Sequence, residues 1–325
     1  MKELVPKTER RLTELCRMFY EQSLSKSEIA RKTNLSVTHV NRLLREGLRA
    51  GVVEIRVKPH TVQSLESDLI KVFGLRDARV VTSSANTDST RIDLGSATAT
   101  LFEELVSDGA KVGIGSGRTL FEMASKLQER PREISICPAN LVLEQDLQIA
   151  GLTANTVSTI VWFRSRPSAK ACRLEMFFPS TDNKILMNYV NQLSRTSALA
   201  SLREQIRKLD VYFLGASEFR LNSRLSRLRN DLIGKTEKAA IVGDVAFNML
   251  DASGREVDFN LDEVLVRLSA DALKKLAASK RKTVVLAAGG REKAGVVSAA
   301  LAARVCNVLV TDSDVAEEVL KNMNT

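Results

Sequence analysis

The ten residues Lys111-Val-Gly-Ile-Gly-Ser-Gly-Arg-Thr-Leu120 decide the fold of most of this 325-residue chain. The apolar side chains of Val112 and Ile114 are typical of a short buried strand. Glycine then occupies alternate positions up to 117, and residues 121–127 (FEMASKL) have helical character. A strand that passes through a glycine-rich turn into a helix is the opening half of a βαβ unit.

The same turn is a candidate anion site. Glycine lets the backbone approach a ligand closely, and the helix that follows presents free N–H groups and the positive end of its dipole. Beside Gly115 and Gly117, we expect donors from the hydroxyls of Ser116 and Thr119 and from the guanidinium of Arg118. No GK[ST] follows, and the spacing differs from a dinucleotide fingerprint. The turn favours phosphate, although a glycine-rich turn without a ligand fits the same residues.

Apolar segments alternate with helical segments on both sides of this turn. We predict strands at Ala78–Thr82, Lys111–Ile114, Leu174–Phe178, Val211–Leu214, Val264–Leu268, Thr283–Ala287 and Asn307–Thr311. We predict helices over residues 95–107, 119–129, 186–208, 269–279 and 293–304. This alternation predicts a Rossmann-like α/β domain, with a mostly parallel sheet covered by helices on both faces.

The first fifty residues predict three short helices. Residues 8–22 place apolar side chains on one helical face. Ser25 and Glu28 fit a capping box that starts a second helix, and Asn34 suits the turn after it because asparagine tolerates positive φ. Ser36 is the N-cap candidate of a third helix. Two helices joined by a tight turn predict a helix-turn-helix, and an ordinary three-helix cap is the alternative.

The third helix has an apolar and a polar side and ends at Gly51, before a predicted strand at 52–57. Its predicted apolar stripe is Val37, Val40, Leu43, Leu44 and Leu48. In a helix-turn-helix, residues near the start of the second helix read bases, and basic groups around it hold phosphates. We predict a DNA-binding surface with base contacts from Thr38, His39, Asn41 and Arg42, phosphate contacts from Arg31, Lys32 and Arg45, and Ser36 at the helix start.

Charge and composition limit the classes of function. Residues 1–58 carry 13 Lys/Arg against 7 Asp/Glu, in a chain of net charge +9, so most of the positive charge lies in the helical head. This favours a polyanionic partner, although a solvated basic surface fits as well. The two histidines, His39 and His60, precede the α/β region, which excludes a histidine-based triad or a histidine-bearing zinc site there.

Neither a secretory signal nor an apolar run of membrane-spanning length is visible, and the four cysteines form no CxxC pair. We therefore expect a cytoplasmic protein with free thiols, no metal and no cofactor. Lys58-Pro59-His60 breaks the predicted strand. The expected division is a head at residues 1–58, a linker helix at 59–75 and an α/β domain at 76–325.

Residues 26–57 resemble the DNA-binding head of the SorC family of sugar-responsive bacterial regulators. The matching residues are Ile29-Ala30, Ser36, Val40 (one position later than usual), Arg42-Leu43-Leu44, and Gly51, Val53 and Ile55. The resemblance continues in order through the α/β region, at Gly95–Leu105, at the 113–119 turn, at Val242–Gly254, at Ala287–Ala294 (AAGGREKA) and at Ala299–Asp312.

The resemblance implies a body domain that binds a phosphorylated sugar or a related effector, which changes DNA affinity. By position, Gly115–Thr119 would hold the phosphate, Lys293 would supply a second charge, and Asp244 would orient hydroxyls or brace the site. From the residues alone, Lys293 also fits a surface lysine and Asp244 a turn-forming aspartate.

Three segments depart from the family pattern, which leaves the identity of the ligand open. Residues 137–153 lack the expected glycine-rich turn, residues 214–217 carry alanine and serine after a strand, and residues 158–167 are unusual. Three arginines in or near these segments fit either an acidic ligand or the surface: Arg164, Arg166 and Arg173.

Two functions fit these observations. The first is a transcriptional regulator, not an enzyme, that forms a dimer or tetramer, binds a pseudo-palindromic DNA operator and responds to a small phosphorylated ligand, a sugar phosphate by expectation. The second is a sugar-phosphate isomerase or deaminase with a DNA-binding head. Such chemistry needs a poised acid and base, and the α/β region offers neither histidine nor a paired-carboxylate motif. The regulator is therefore favoured.

Overall fold

The computed structural model describes residues 7–53, 60–140, 152–171, 197–219, 241–257 and 267–323. The chain divides into two compact units, residues 1–57 and residues 58–325. The smaller unit contains helices α1 (Lys7–Tyr20), α2 (Lys26–Thr33) and α3 (Val37–Arg49).

The sequence specifies the start and end of α2 and α3 locally. The Ser25 hydroxyl accepts a hydrogen bond from the Glu28 backbone N–H at 3.2 Å, and the Glu28 carboxylate accepts one from the Ser25 N–H at 2.8 Å. Asn34 ends α2 in the left-handed region at φ 55°, and the Ser36 hydroxyl caps α3 by accepting from the His39 N–H. The capping box, the left-handed Asn34 and the Ser36 N-cap are thus confirmed.

The predicted apolar stripe of α3 is wrong at two of its five positions. Val40 and Leu44 are buried, whereas Val37 is 47% exposed and Leu48 is 38% exposed. The buried arc also contains Gly47, because a Cβ there would lie 2.4 Å from the Cys16 Sγ of α1. At 100° per residue, Val37 and Leu48 lie about 50–75° from the centre of this arc and turn towards solvent. Val52 and Val53 form no strand, and residues 54–57 lie outside the described residues.

The larger unit alternates strands and helices. Its strands are β1 (Asp77–Val81), β2 (Lys111–Ile114), β3 (Ser135–Pro138), β4 (Lys170–Ala171), β5 (Val211–Glu218), β6 (Ile241–Val245), β7 (Asn248–Asp251), β8 (Thr283–Ala287) and β9 (Val308–Asp312). Its helices are α4 (Gln63–Phe73), α5 (Thr87–Leu105), α6 (Arg118–Lys126), α7 (Ala154–Arg164), α8 (Ser197–Arg207), α9 (Ala270–Ala278), α10 (Ala294–Ala303) and α11 (Ser313–Met323).

Seven strands form a parallel sheet in the order β1-β9-β8-β5-β2-β3-β4, which confirms the predicted mostly parallel α/β fold. Strand β6 extends the sheet as an antiparallel neighbour of the end of β5, and β7 pairs antiparallel with β6. The chain runs outward in one direction from β2 and in the other from β5. The crevice at the carboxyl ends of these two strands is therefore the topological switch point at which such sheets bind ligands.

Both faces of the sheet are buried. Alternate residues of β5 show the division, since Tyr212 and Leu214 contribute to one core cluster, whereas Val211 and Phe213 contribute to the other. The first cluster includes Leu69 of α4, so this helix packs as part of the larger unit. On the second face, a Cβ at Gly95 of α5 would lie 2.3 Å from the Cβ of Glu122. This glycine allows α5 and α6 to pack closely.

Predictions for several elements differ from the structure. Leu174–Phe178 and residues 186–196 lie outside the described residues, as do residues 264–266 of the strand predicted at 264–268. Arg267 and Leu268 form no strand. Six elements of the structure were not predicted from the sequence: β3, β4, β6, β7, α7 and α11.

The β6–β7 hairpin was missed because its turn lacks the usual glycine or asparagine. Ala246 and Phe247 occupy the two turn positions with φ 48° and 67°, a conformation that β-hairpins normally give to Asn-Gly. The Asp244 carboxylate accepts a hydrogen bond from the Phe247 N–H at 3.0 Å, and the Asn248 amide donates to the Val245 and Leu268 carbonyls. These side chains hold the strained turn.

Candidate functional site

A cavity of about 540 Å³ lies at the carboxyl ends of β1, β2, β8 and β9. Five loop or helix-start segments converge on it because parallel strands deliver all their carboxyl ends to one edge. The residues that line it are Ser83, Ser84, Ala85, Thr87, Thr90, Arg91, Leu94, Arg118, Thr119, Gly289, Gly290, Arg291, Glu292, Lys293, Asp312 and Asp314.

The glycine turn after β2 delivers the start of α6 to this cavity. The Gly115 N–H donates to the Phe213 carbonyl at 2.8 Å, and the Gly117 N–H donates to the Leu152 carbonyl at 2.9 Å. These two N–H groups therefore hold the loop and do not face a ligand. Gly117 is the N-cap of α6 at φ 118° and offers no side chain to cap it. The N–H groups of residues 118–120 begin the helix without intrahelical partners, as at any helix start.

The predicted loop residues divide into two groups. Thr119 and Arg118 line the cavity, whereas Gly115, Ser116 and Gly117 form the bend behind it. Thr119 is buried, and within the described ranges its hydroxyl makes no hydrogen bond. The guanidinium of Arg118 also forms no ion pair with any described residue. Both side chains therefore have unused donors at the cavity wall.

A second glycine turn, Gly289-Gly290, brings Lys293 to the same cavity. Gly290 has φ 99° and is followed by a short 3₁₀ helix, Arg291–Lys293, that leads into α10. Lys293 is half-buried and makes no ion pair among the described residues. Burial lowers the pKa of Lys293 below its ordinary value, and the nearby Arg118 guanidinium lowers it further. These two cations both line the cavity and are close enough to repel each other, with partial compensation from Glu292, Asp244 and Asp312.

Asp312, for which no role was predicted, connects the loops that follow β1 and β8 through hydrogen bonds. It is fully buried, and its Oδ2 accepts a hydrogen bond from the Gly290 N–H at 2.6 Å. Its Oδ1 accepts from the Ser83 hydroxyl at 2.8 Å and from the Val315 N–H at 3.2 Å. Asp312 is the last residue of β9, and only the strand order places it beside the loops that follow β1 and β8.

The loop from β1 to α5 supplies a polar wall that was also missed. Ser83, Ser84, Thr87 and Thr90 place four hydroxyl-bearing residues there. Arg91 adds a guanidinium, which pairs with Asp88 at 2.6 Å on one side. No glycine or charge cluster marks this loop, so no local pattern indicates a binding role for it.

The remaining predicted body residues lie elsewhere. Asp244 is buried in β6 and braces the hairpin turn, so it is outside the set of cavity-lining residues. Arg164 donates to the Ser125 carbonyl, and Arg166 stacks on the Phe163 ring at 3.6 Å, which places both away from that set. Arg173 and residues 141–151 lie outside the described residues.

The smaller unit presents a polar face on α3. Thr38, Arg42 and Arg45 are exposed on the side of the helix opposite Val40 and Leu44, whereas His39 and Asn41 are half-buried at its edges. Arg31, Lys32 and Ser36 are exposed on α2 and at the start of α3. Arg49, which continues the exposed row one turn after Arg45, was missed. The eight predicted residues are thus all exposed or half-buried on α2, on α3 or at the start of α3.

Two polar contacts fix side chains of α3 before any partner binds. The Lys26 ammonium donates to the Asn41 Oδ1 at 2.9 Å, and the Arg42 guanidinium lies 3.0 Å from the His39 Nε2. An Asn41 whose oxygen already accepts from Lys26 is less suited to a bidentate contact with adenine, which needs that oxygen as an acceptor.

The described part of the chain contains neither a metal-ligand cluster nor a membrane-spanning helix. Residues 7–53, 60–140, 152–171, 197–219, 241–257 and 267–323 contain no group of three or more potential ligands arranged for a metal ion. No helix within those ranges has the length and hydropathy needed to cross a bilayer.

Comparison with known proteins identifies relatives of the whole chain. Residues 58–321 match a family model described as "Putative sugar-binding domain". The sorbitol operon regulator of Klebsiella pneumoniae is 23% identical over 322 residues, which cover 96% of this chain and 98% of the relative. The deoxyribonucleoside regulator of Bacillus subtilis is 24% identical over 320 residues, which cover 95% and 97%.

The fold has a matching solved structure. The crystal structure of the full-length sorbitol operon regulator SorC from Klebsiella pneumoniae aligns with a TM-score of 0.63 at 22% identity, over 96% of this chain and 98% of that one. These relatives are named as regulators and not as enzymes. The family match covers most of the chain and the motifs of both units agree with it. The chain therefore belongs to the SorC family of sugar-binding transcriptional regulators.

Proposed function

We propose that the cavity binds a small phosphorylated ligand, a sugar phosphate, and that this ligand controls the affinity of the α3 surface for a DNA operator. The observation that carries the proposal is the proximity of Arg118 and Lys293 in the cavity, beside the uncapped start of α6. Two cations close enough to repel each other raise the free energy of the unliganded site, and Glu292, Asp244 and Asp312 offset only part of this repulsion. A phosphate between them would remove this repulsion and accept from both.

The N-terminus of α6 supports the same assignment. A phosphate beside residues 118–120 would accept from backbone N–H groups that have no partner within the helix, and it would lie at the positive end of the helix dipole. The Thr119 hydroxyl adds a donor from the first turn. Lys293 lies at the start of α10 and also lines the cavity. Its ammonium group and the start of α6 can therefore bind the same anion.

The rest of the cavity suits a polyhydroxylated molecule. The β1–α5 loop offers the hydroxyls of Ser84 and Thr87, and Asp314 adds an exposed carboxylate. The hydroxyls of Ser83 and Thr90 already make hydrogen bonds within the protein. Side chains that both donate and accept match the hydroxyls of a sugar. Its 540 Å³ is of the size that pockets for small molecules commonly have.

The proposal is tested by measuring operator affinity with and without candidate ligands. An operator duplex is first selected from random-sequence DNA with the full chain, and its Kd is measured by fluorescence anisotropy. We expect one sugar phosphate to change this Kd by about 5- to 150-fold, the range of ordinary allosteric coupling. A Kd that no phosphorylated sugar changes, for a duplex that the chain selects, would refute ligand control.

Lys293 gives the site a predicted pH dependence. Its pKa lies below the ordinary 10.5, and its charged form is the one that binds an anion. Above pH 7.5 a phosphate monoester is already fully ionised. Ligand affinity should therefore fall as the pH rises through the pKa of Lys293.

Isothermal titration calorimetry between pH 7.5 and pH 10, with buffers matched in ionic strength, measures this fall. The control is Lys293→Arg, because a guanidinium keeps its charge throughout this range. An equal decline in the wild type and in Lys293→Arg would show that another group titrates.

The DNA surface makes a separate prediction for two arginines. If Arg42 reads a base, Arg42→Ala should cost about 1–3 kcal/mol at one operator position and relax the sequence preference there. If Arg45 contacts a phosphate, Arg45→Ala should weaken all sequences alike and reduce the salt slope of log Kd by about one. Anisotropy titrations over a set of single-base operator variants distinguish the two. A uniform loss for Arg42→Ala would remove it from the base-reading set.

A further inference from the structure

One apolar side chain interrupts the polar surface of α3. Val37 is the first residue of the helix and is 47% exposed. A β-branched residue at an exposed helix position gains neither helix propensity nor core burial. The exposed Val37 side chain therefore contributes little to the stability of the smaller unit and is available for contact with a partner.

The position of Val37 on the helix specifies what it can reach. At 100° per residue, Val37, Thr38, Asn41, Arg42 and Arg45 occupy one arc of about 140°. Val37 lies at the edge of this arc next to the buried Leu44, and its side chain is nevertheless 47% exposed. Val37 lies at the N-terminal end of this arc. The N-terminal residues of such a helix are those that contact base edges in the major groove.

We propose that Val37 reads the 5-methyl group of a thymine in the operator. Thymine is the base that presents an apolar group in the major groove, and apolar side chains recognise it there. The surrounding charge fits DNA as the occupant, because Arg42 and Arg45 are exposed on the same arc and can contact a base and the backbone, respectively. The inference rests on the proposed entry of α3 into the major groove, and it adds a specificity residue to that function.

The neighbours of Val37 are held in a fixed arrangement. Asn41 lies one turn further along and is bonded to Lys26, and Arg42 contacts His39. A contact with a methyl group depends on close approach at van der Waals distance. Side chains already fixed next to Val37 favour a single register of the helix in the groove, and hence one thymine in each half-site.

Leu48 provides a matched control on the same helix. It is also apolar and is 38% exposed. It lies eleven residues after Val37, about 16 Å further along the helix axis, and therefore at the end remote from the base-reading residues. Val37→Ala thus removes an exposed apolar side chain together with the proposed contact, whereas Leu48→Ala removes an exposed apolar side chain that makes no such contact.

The experiment uses the full chain and an operator duplex selected from random-sequence DNA. Each thymine is replaced in turn by deoxyuridine, which removes the methyl group and keeps the hydrogen-bonding pattern. For the wild type, we expect one replacement in each half-site to raise the Kd about fourfold, the effect of one buried methyl group. Val37→Ala should bind the thymine duplex less tightly and lose this sensitivity, whereas Leu48→Ala should keep it. Circular dichroism confirms that both variants are folded.

The possible results distinguish an error in the role of Val37 from an error in the proposed DNA binding by α3. Selection of a duplex with no thymine at which uracil weakens binding would overturn the role of Val37 and leave DNA binding by α3 intact. The same conclusion would follow if Val37→Ala kept the full uracil sensitivity. Failure of the full chain to enrich any duplex would instead overturn the proposed DNA-binding function and the inference with it.

Discussion

Gly289→Ala is expected to destabilise the larger unit by about 2–4 kcal/mol and to abolish ligand binding. The added Cβ would lie 2.4 Å from the Asp312 Oδ2 and 2.4 Å from the Leu94 Cδ1. Both side chains are buried, and Asp312 accepts hydrogen bonds through both of its oxygens, so neither can move without loss. Overpacking of this kind typically costs about 1–3 kcal/mol, and breaking a charge-assisted hydrogen bond adds to that.

The control for this substitution is a second glycine-to-alanine change a few residues later. At Gly295, in α10, the nearest atom to an added Cβ is the Val242 Cβ at 3.9 Å, an ordinary contact distance. Alanine is favoured over glycine in a helix, so Gly295→Ala should stabilise the unit by about 0.5–1 kcal/mol. Urea unfolding of the three proteins measures both effects. Equal stabilities for Gly289→Ala and the wild type would show that the cavity floor is not packed as described.

The double variant Thr119→Val, Lys293→Ala is expected to bind the operator as tightly as the wild type and to lose all response to the ligand. Thr119→Val removes one hydroxyl donor, and Lys293→Ala removes one of two cations that line the cavity and repel each other. Neither residue belongs to the smaller unit, so the α3 surface is unchanged. Lost charge-assisted hydrogen bonds of this kind weaken binding by about 1.5–3 kcal/mol each, enough to reduce affinity by several hundredfold in combination.

The matched control is Lys274→Ala, which removes the same charge from an exposed position of α9. Operator anisotropy at a fixed ligand concentration is compared for the wild type, the double variant and this control. If the double variant still responds to the ligand as the wild type does, the phosphate lies somewhere other than between α6 and Lys293.

Much of the fold could be predicted because its signals are local. The capping box at Ser25 and Glu28, the left-handed Asn34 and the strands β2, β8 and β9 each depend on a few adjacent residues. Packing between elements was harder to predict. The exposure of Val37 and Leu48 follows from where Gly47 meets Cys16, and a hydrophobic pattern along α3 does not contain that contact.

The candidate site was predicted in part, for a related reason. Arg118 and Thr119 were identified because they follow a glycine turn at the start of a helix, whereas Lys293 was assigned by the family resemblance. Asp312 and the Ser83–Thr90 wall were missed, because only the strand order β1-β9-β8 brings the ends of the chain together there. Asp244 was expected by resemblance to orient hydroxyls or brace the site; it stabilises a positive-φ hairpin turn, and its charge also acts on Lys293.

The central claim is that this cavity recognises a phosphate group. The most direct test measures the Tm of the full chain with pairs of sugars that differ only in a phosphate. A ligand that binds the native state raises the Tm by mass action. The account predicts that at least one phosphorylated sugar raises the Tm, that its unphosphorylated partner does not, and that Thr119→Val, Lys293→Ala removes the shift. An unphosphorylated sugar that raises the Tm as much as its phosphate would contradict it.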